Sequence, residues 1–193
     1  KPFSNKPGMR LINRAKYLSG STIGNGAVYR QSLAEFSFLL DYVPGWKRIY
    51  QPGGLIQHQS FVPAAEAERV FRGQLELCHK HGMPSFLGVL KRHRCDPFLM
   101  SHGVDGFSLA LDFPVVEGRR QRLWELVRAM AELVVDAGGC FYPAKDAALP
   151  AELYQAGVGK EAVESLLEIK DRLDPMRLLR TSLGQRLLWG ADA

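Results

Sequence analysis

The apolar positions of this chain change period several times, and each change predicts an element. Residues 55–62, LIQHQSFV, alternate well enough for a strand, which Pro63 ends. In the following AAEAERVFRGQLELCHKHG, Ala67, Val70, Phe71, Leu75 and Cys78 recur at helical spacing, with Gly82 as the stop. SFLGVLKR (85–92) reads as a second strand, and FSLALDFPV (107–115) as a third with strong β character. EGRRQRLWELVRAMAELVVDAGG places Leu123, Leu126, Val127, Met130, Leu133 and Val134 on one helical face, and residues 139–143 close the series as a fourth strand. The order β-α-β-β-α-β predicts an α+β fold of ferredoxin-like type, an antiparallel sheet with both helices on one face.

Three segments follow: an N-terminal extension over 1–53, partly irregular, the ferredoxin-like domain over 54–146, and a helical C-terminal tail over 147–193. In the extension, KPGMRLINRAKYLSG allows a short helix from Met9 to Leu18. SGSTIGNGAVYRQS is a Gly-rich loop without the strand-turn-helix frame of a phosphate loop. FSFLLDYVPGWKRIYQPGG is apolar and aromatic, broken at Pro44-Gly45 and Pro52-Gly53. In the tail, 150–156, 160–173 and 175–188 read as helices, the last with Asp174 as cap and Pro175 in its first turn.

Composition narrows the function. A hydrophobic content of 46% with 23% charged residues suits a soluble globular chain, and no apolar run approaches the roughly 20 residues of a membrane span. Cys78, Cys95 and Cys140 are an odd set without close spacing, which suits buried thiols in a reducing, cytoplasmic compartment. His79-Lys-His81 and His93-Arg-Cys95 match no zinc pattern, so no metal site is expected. The net charge of +5 gathers in clusters such as Lys91-Arg92-His93-Arg94, an attraction for phosphorylated ligands, nucleic acid or an anionic membrane surface. This leaves room for peripheral membrane contact. An RNA-binding module is one function class with this strand order. The third strand, GFSLALDFPV, offers Phe107 and Phe113 but lacks the basic-Gly-aromatic-Gly-aromatic order, and the first shows Gln57 and Gln59 where a base would stack. Nucleic acid is therefore not expected as a partner.

The other class is a substrate domain. Gln57 and Gln59 share a face of one strand, Lys91 ends the next, Ser108 and Ala110 share a face of the third, and Lys145 ends the fourth. Amides pair with hydroxyls and ammonium groups with anions, which suits a polyol or sugar-like molecule. In GGCFYPAKDA, the pair Lys145-Asp146 either marks where a buried strand reaches water or aims a cation into a site. Lys91, followed by Arg92 and Arg94, has the same two readings.

The ordered series YQPGGLIQHQSFVPAAEAERVF, PSFLGVLKRH, GFSLALDFPV, GGCFYPAKDA and IKDRLDPMRLLRTSLGQRL resembles the C-terminal half of FAD-linked oxidases of the vanillyl-alcohol oxidase type. Within them it is most similar to the branch of the decaprenylphosphoryl-ribose oxidases, and more distantly to the aldonolactone oxidases. The resemblance implies a substrate or cap domain whose flavin-binding partner domain lies N-terminal to it. The chain, which opens on Lys1 rather than Met, is then expected to be a fragment that does not hold FAD alone and is inactive alone. It also implies Lys145 beside the flavin N1 and C2 carbonyl, where a fixed ammonium would stabilise the reduced ring. Gln57, Gln59 and Lys91 match pocket residues, and Tyr50 is a further pocket candidate. Ser108, also a candidate, and Ala110 stand where the decaprenylphosphoryl-ribose oxidases carry Asn and Cys, so that wall has less hydrogen-bonding capacity. The catalytic base is unassigned. By alternation His58 faces the other side of the sheet as a packing residue, and Asp146 is a turn residue or the acceptor of a local backbone amide.

Overall fold

The computed structural model describes residues 6–38 and 45–189, in two compact units divided along the chain between Gly54 and Leu55. The expected break at Pro44 lies outside the described residues. The N-terminal unit has a helix α1 (Lys6–Thr22), longer at both ends than the expected Met9–Leu18. A short α2 (Leu33–Ser37) starts on a capping box, in which Ser32 Oγ accepts from the Glu35 amide and the Glu35 carboxylate accepts from the Ser32 amide. A single 3-10 turn, Trp46–Tyr50, then precedes the second unit.

The second unit carries β1 (Leu55–Pro63), α3 (Ala67–Lys80), β2 (Leu87–His93), β3 (Gly106–Pro114), α4 (Arg120–Asp136) and β4 (Cys140–Phe141). The four strands form one antiparallel sheet in the order β2-β3-β1-β4. That is the expected ferredoxin-like arrangement, with β2 and β4 flanking the central β1-β3 pair. The register pairs Ile56 with Phe113, His58 with Leu111, and Ser60 with both Leu109 and Phe141, so these side chains share one face. Both helices cover that face. Ile56, Leu109, Leu111 and Phe113 pack with Cys78 of α3 and with Leu123, Leu126, Val127 and Met130 of α4. Val62 and Phe141 continue the layer against Val70, Ala131 and Val134. Leu126 and Met130 are fully buried, and truncating either to Ala costs about 2–5 kcal/mol.

One position of α3 departs from expectation. Leu75 is exposed, and Gln74 takes the buried place. Gln74 stands four residues from Val70 and from Cys78, so helical phase turns it inward whatever its polarity. Its amide is satisfied there: Ser60 Oγ donates to Oε1 at 3.3 Å, and Nε2 lies 3.2 Å from Ser60 Oγ and 3.3 Å from His58 Nε2.

The passage from α4 into β4 depends on two glycines. Gly138 takes a left-handed φ of +67° that ends the helix, and Gly139 passes so close to β1 that a Cβ there would lie 2.5 Å from the Phe61 carbonyl oxygen. β4 is correspondingly short, and residues 143–145 form a 3-10 turn rather than the end of a strand.

The tail contains α5 (Ala151–Val158) and α6 (Lys160–Leu173), and Leu149, Tyr154 and Leu187 join the core around Phe141. The expected helix from Pro175 does not form. Asp174 closes α6 instead: its carboxylate takes a hydrogen bond from Lys170 and from the amides of Leu178 and Leu179, which hold it down at about 2. The chain then turns through Arg177, at φ +50°, and becomes helical only from Ser182 to Trp189. The acceptor chemistry expected of an N-cap is present, but it serves a turn.

Candidate functional site

The face of the sheet away from the helices collects the polar set. Register places Gln57 opposite Asp112, Gln59 opposite Ala110, and Phe61 opposite Ser108, while Lys91 of β2 lies across from Ser108. Gln57 Nε2 donates to Asp112 Oδ1. Gln59 Nε2 donates to Ser108 Oγ at 3.3 Å, and the same hydroxyl lies 2.8 Å from His93 Nε2. Gln59 is only 6% exposed, and among the described residues nothing meets its Oε1. A buried amide oxygen without a donor costs stability, so Gln59 presents an acceptor that a ligand hydroxyl would satisfy.

The residues after β2 cross this face. The His102 ring sits tilted between Phe61 (4.6 Å between centroids) and Tyr142 (4.7 Å), and the His102 carbonyl accepts a hydrogen bond from Cys140 Sγ. His93 meets Phe61 edge-on at 4.8 Å. Phe61 is therefore buried, Ser108 is fully enclosed, and this part of the face is lined rather than bare. Burial is the main cause holding both imidazoles below the ordinary histidine range. His102, Lys91 and Arg92 add to it for His93, and Asp96 partly opposes it for His102.

Lys145 reaches the same face from the 3-10 turn after β4. Its ammonium lies 5.6 Å from the centre of the Tyr142 ring, and Tyr142 joins β1 through its amide, which donates to the Gln59 carbonyl. The amine is held below the ordinary lysine value, first by burial and then by the charge of Lys91, with Asp112 partly restoring it. Lys91 and Lys145 thus sit within electrostatic reach, with Asp112 as the nearby counter-charge. Two cations in one place bind an anion better than either does alone.

Among the sequence-derived candidates, Gln57, Gln59, Lys91, Ser108 and Lys145 therefore lie on one face of the second unit. Tyr50 belongs to the N-terminal unit, where it is buried and its ring meets Trp46 edge-on. Sequence reasoning passed over Asp112 and His93, although each follows a named candidate in phase: Asp112 is two residues beyond Ala110, and His93 two beyond Lys91. Tyr142 stood at the strand exit. His102 had no periodic signal, because it comes from a loop.

No family model matches the chain. A curated relative does: decaprenylphosphoryl-beta-D-ribose oxidase of Mycolicibacterium smegmatis, 29% identical over 158 residues. The chain is similar to an oxidase. The match takes in 81% of this chain but 33% of that protein, so the chain spans about a third of its relative's length. It supports the family of that oxidase. Among the described residues no helix is long and apolar enough to cross a membrane, and no group of His, Cys, Asp or Glu side chains is arranged to hold a metal ion.

Proposed function

We propose that this chain is the substrate-side portion of an FAD-dependent oxidoreductase that oxidises a C–OH group of a sugar-like or polyol molecule. The observation that carries the reading is the joining, on one sheet face, of a lysine pair and a buried amide with a free acceptor. Lys145 and Lys91 supply positive charge, and Gln59 supplies a buried acceptor for a hydroxyl. The similarity to an oxidase supports the same direction.

The donor set fits a flavin. An ammonium on a fixed turn, surface-exposed but partly desolvated and beside a second lysine, is suited to the edge of a ring that becomes anionic on reduction. When bound, FAD supplies the acceptor for the two electrons. Lys145 would hold that edge, and Gln57, Gln59 and Lys91 would orient the alcohol. Ser108 belongs to the wall through Gln59 and His93. The hydroxyl proton needs an acceptor, and His93, held below the ordinary histidine range chiefly by burial and 2.8 Å from Ser108 Oγ through its Nε2, is the imidazole on this face that would serve. A partner flavin-binding region would hold the phosphates and adenine.

An RNA-binding role is disfavoured by the same register. Phe107 pairs with Val62 and Phe113 with Ile56, which turns both β3 aromatics to the helix side. The test is anaerobic mixing of the flavin-carrying protein with a panel of sugar-like alcohols. The reading expects flavin bleaching and a carbonyl product for at least one of them. Tight, sequence-selective RNA binding at physiological salt, with no bleaching by any alcohol, would overturn it.

A further inference from the structure

Beneath Lys145, on the helix side of the sheet, lies a buried polar chain that the proposed reaction does not use. His58 is 1% exposed and stands between two partners. Its Nε2 faces Gln74 Nε2 at 3.3 Å, and its Nδ1 faces Asp146 Oδ2 at 3.5 Å. Gln74 Nε2 can only donate, so His58 Nε2 is the acceptor and the ring proton belongs on Nδ1, which lies beside the carboxylate at 3.5 Å but outside hydrogen-bond geometry, a buried donor for which Asp146 is the neighbouring acceptor. The series runs in one direction, from Ser60 through Gln74 and His58 to Asp146.

Asp146 is the anchor of the turn. Its Oδ1 accepts from the amides of Ala148 at 2.6 Å and Leu149 at 2.7 Å. Its backbone carbonyl accepts from Arg186 Nη2 at 2.9 Å, while Arg186 Nη1 donates to the Leu149 carbonyl. Lys145 and Asp146 close the turn with their own amides, donated to Tyr142 and Pro143 at 3.2 Å each. A carboxylate buried at this depth is expensive unless it is paired, and removing one partner leaves the other exposed to that cost. A turn that only needed to reach water would not require it.

We infer that Gln74, His58 and Asp146 are positioning residues, which fix the turn from below so that Lys145 is presented to the opposite face. The inference rests on Lys145 being the binding lysine of the proposed function. His58 and Asp146 never touch the ligand; they act through the backbone between residues 143 and 149. Because adjacent side chains leave a turn in different directions, clamping Asp146 on one side sets where Lys145 points on the other.

The test is a side-chain NMR titration of Lys145 in this chain as it stands, without flavin. In the unaltered chain the amine should titrate below the ordinary lysine value. In His58→Leu the turn should loosen, the amine should move up toward that value, and the amide signals of residues 143–149 should shift while those of β1 and β3 stay. His58→Asn, whose side-chain amide can occupy the place of Nδ1–H, should retain the original titration. Should His58→Leu fail to fold, Asp146→Asn decides. Removing a nearby carboxylate would by charge alone lower the Lys145 amine, whereas loss of position raises it. An amine that stays put or moves down in these variants would show that the buried chain only plugs the core. This readout uses no cofactor, so a failure of the flavin reading and a failure of the positioning claim remain separate results.

Discussion

Lys145 and Asp146 are consecutive, yet they serve opposite faces of the sheet. The Asp146 carboxylate turns inward to within 3.5 Å of His58 Nδ1, and the Lys145 ammonium turns outward over the Tyr142 ring. The aspartate ties down the turn, and on the proposed reading the lysine is what the turn presents.

The buried carboxylate makes stability depend on acid. Burial works to raise Asp146, but the pairing with His58 and the amides of Ala148 and Leu149 outweigh it and hold the group below the ordinary carboxylate value of 3.8. A group depressed in the folded state stabilises the fold above its unfolded pKa and loses that contribution as pH falls through the folded one. Chemical denaturation of Asp146→Asn should therefore show a deficit at neutral pH that shrinks as the pH is taken below 3.8. A constant deficit across that range would count against the pairing.

His93 and His102 predict a second transition at milder pH. Both are depressed from the ordinary histidine value of 6.5, so both should titrate below it by NMR. The sign is the same as for Asp146: stability is full above 6.5 and declines as the imidazoles are forced to charge on acidification. His102→Phe keeps a ring between Phe61 and Tyr142 and should remove its share of that decline.

Thiol reactivity separates the cysteines. Burial pushes Cys78 and Cys140 up to about 12, where almost no thiolate exists at neutral pH, and Cys95 is exposed. Under native conditions an aromatic disulfide reagent should label Cys95 alone, with the other two reacting only on unfolding. Rapid labelling of Cys140 in the native chain would mean that the His102 loop opens freely.

Gln59 should matter more to binding than to folding. One end of its amide has no partner, so Gln59→Leu should leave the melting temperature of the chain little changed. In the flavin-carrying protein the lost hydroxyl partner should cost about 1–3 kcal/mol, roughly fivefold to 150-fold in kcat/KM.

The sheet was legible because alternation and helical phase are local, and β1, β2 and β3 keep their period; the expected end of the fourth strand is a 3-10 turn instead. The site was partly legible for the same reason: Gln57, Gln59, Lys91 and Ser108 share a face by counting alone. Gln74 was missed because polarity was weighed above phase. The Asp174-Pro175 pair was misread because a carboxylate that accepts backbone amides serves a helix start and a turn equally well. The packing of the His102 ring between Phe61 and Tyr142, and the reach of Asp146 to His58, join residues far apart in the chain, and no periodicity records that.

The most direct measurement is the midpoint potential of the flavin in the flavin-carrying protein, compared between the unaltered form, Lys145→Arg and Lys145→Ala. An exposed lysine on a turn contributes little packing, so all three should fold alike. With Lys145 at the edge of the ring, loss of its charge destabilises the anionic reduced form. The Ala variant should show a lower potential and slower flavin reduction by the alcohol, and the Arg variant should fall between. An Ala variant with the original potential and the original rate would contradict the account, and Lys145 would be only the end of a turn.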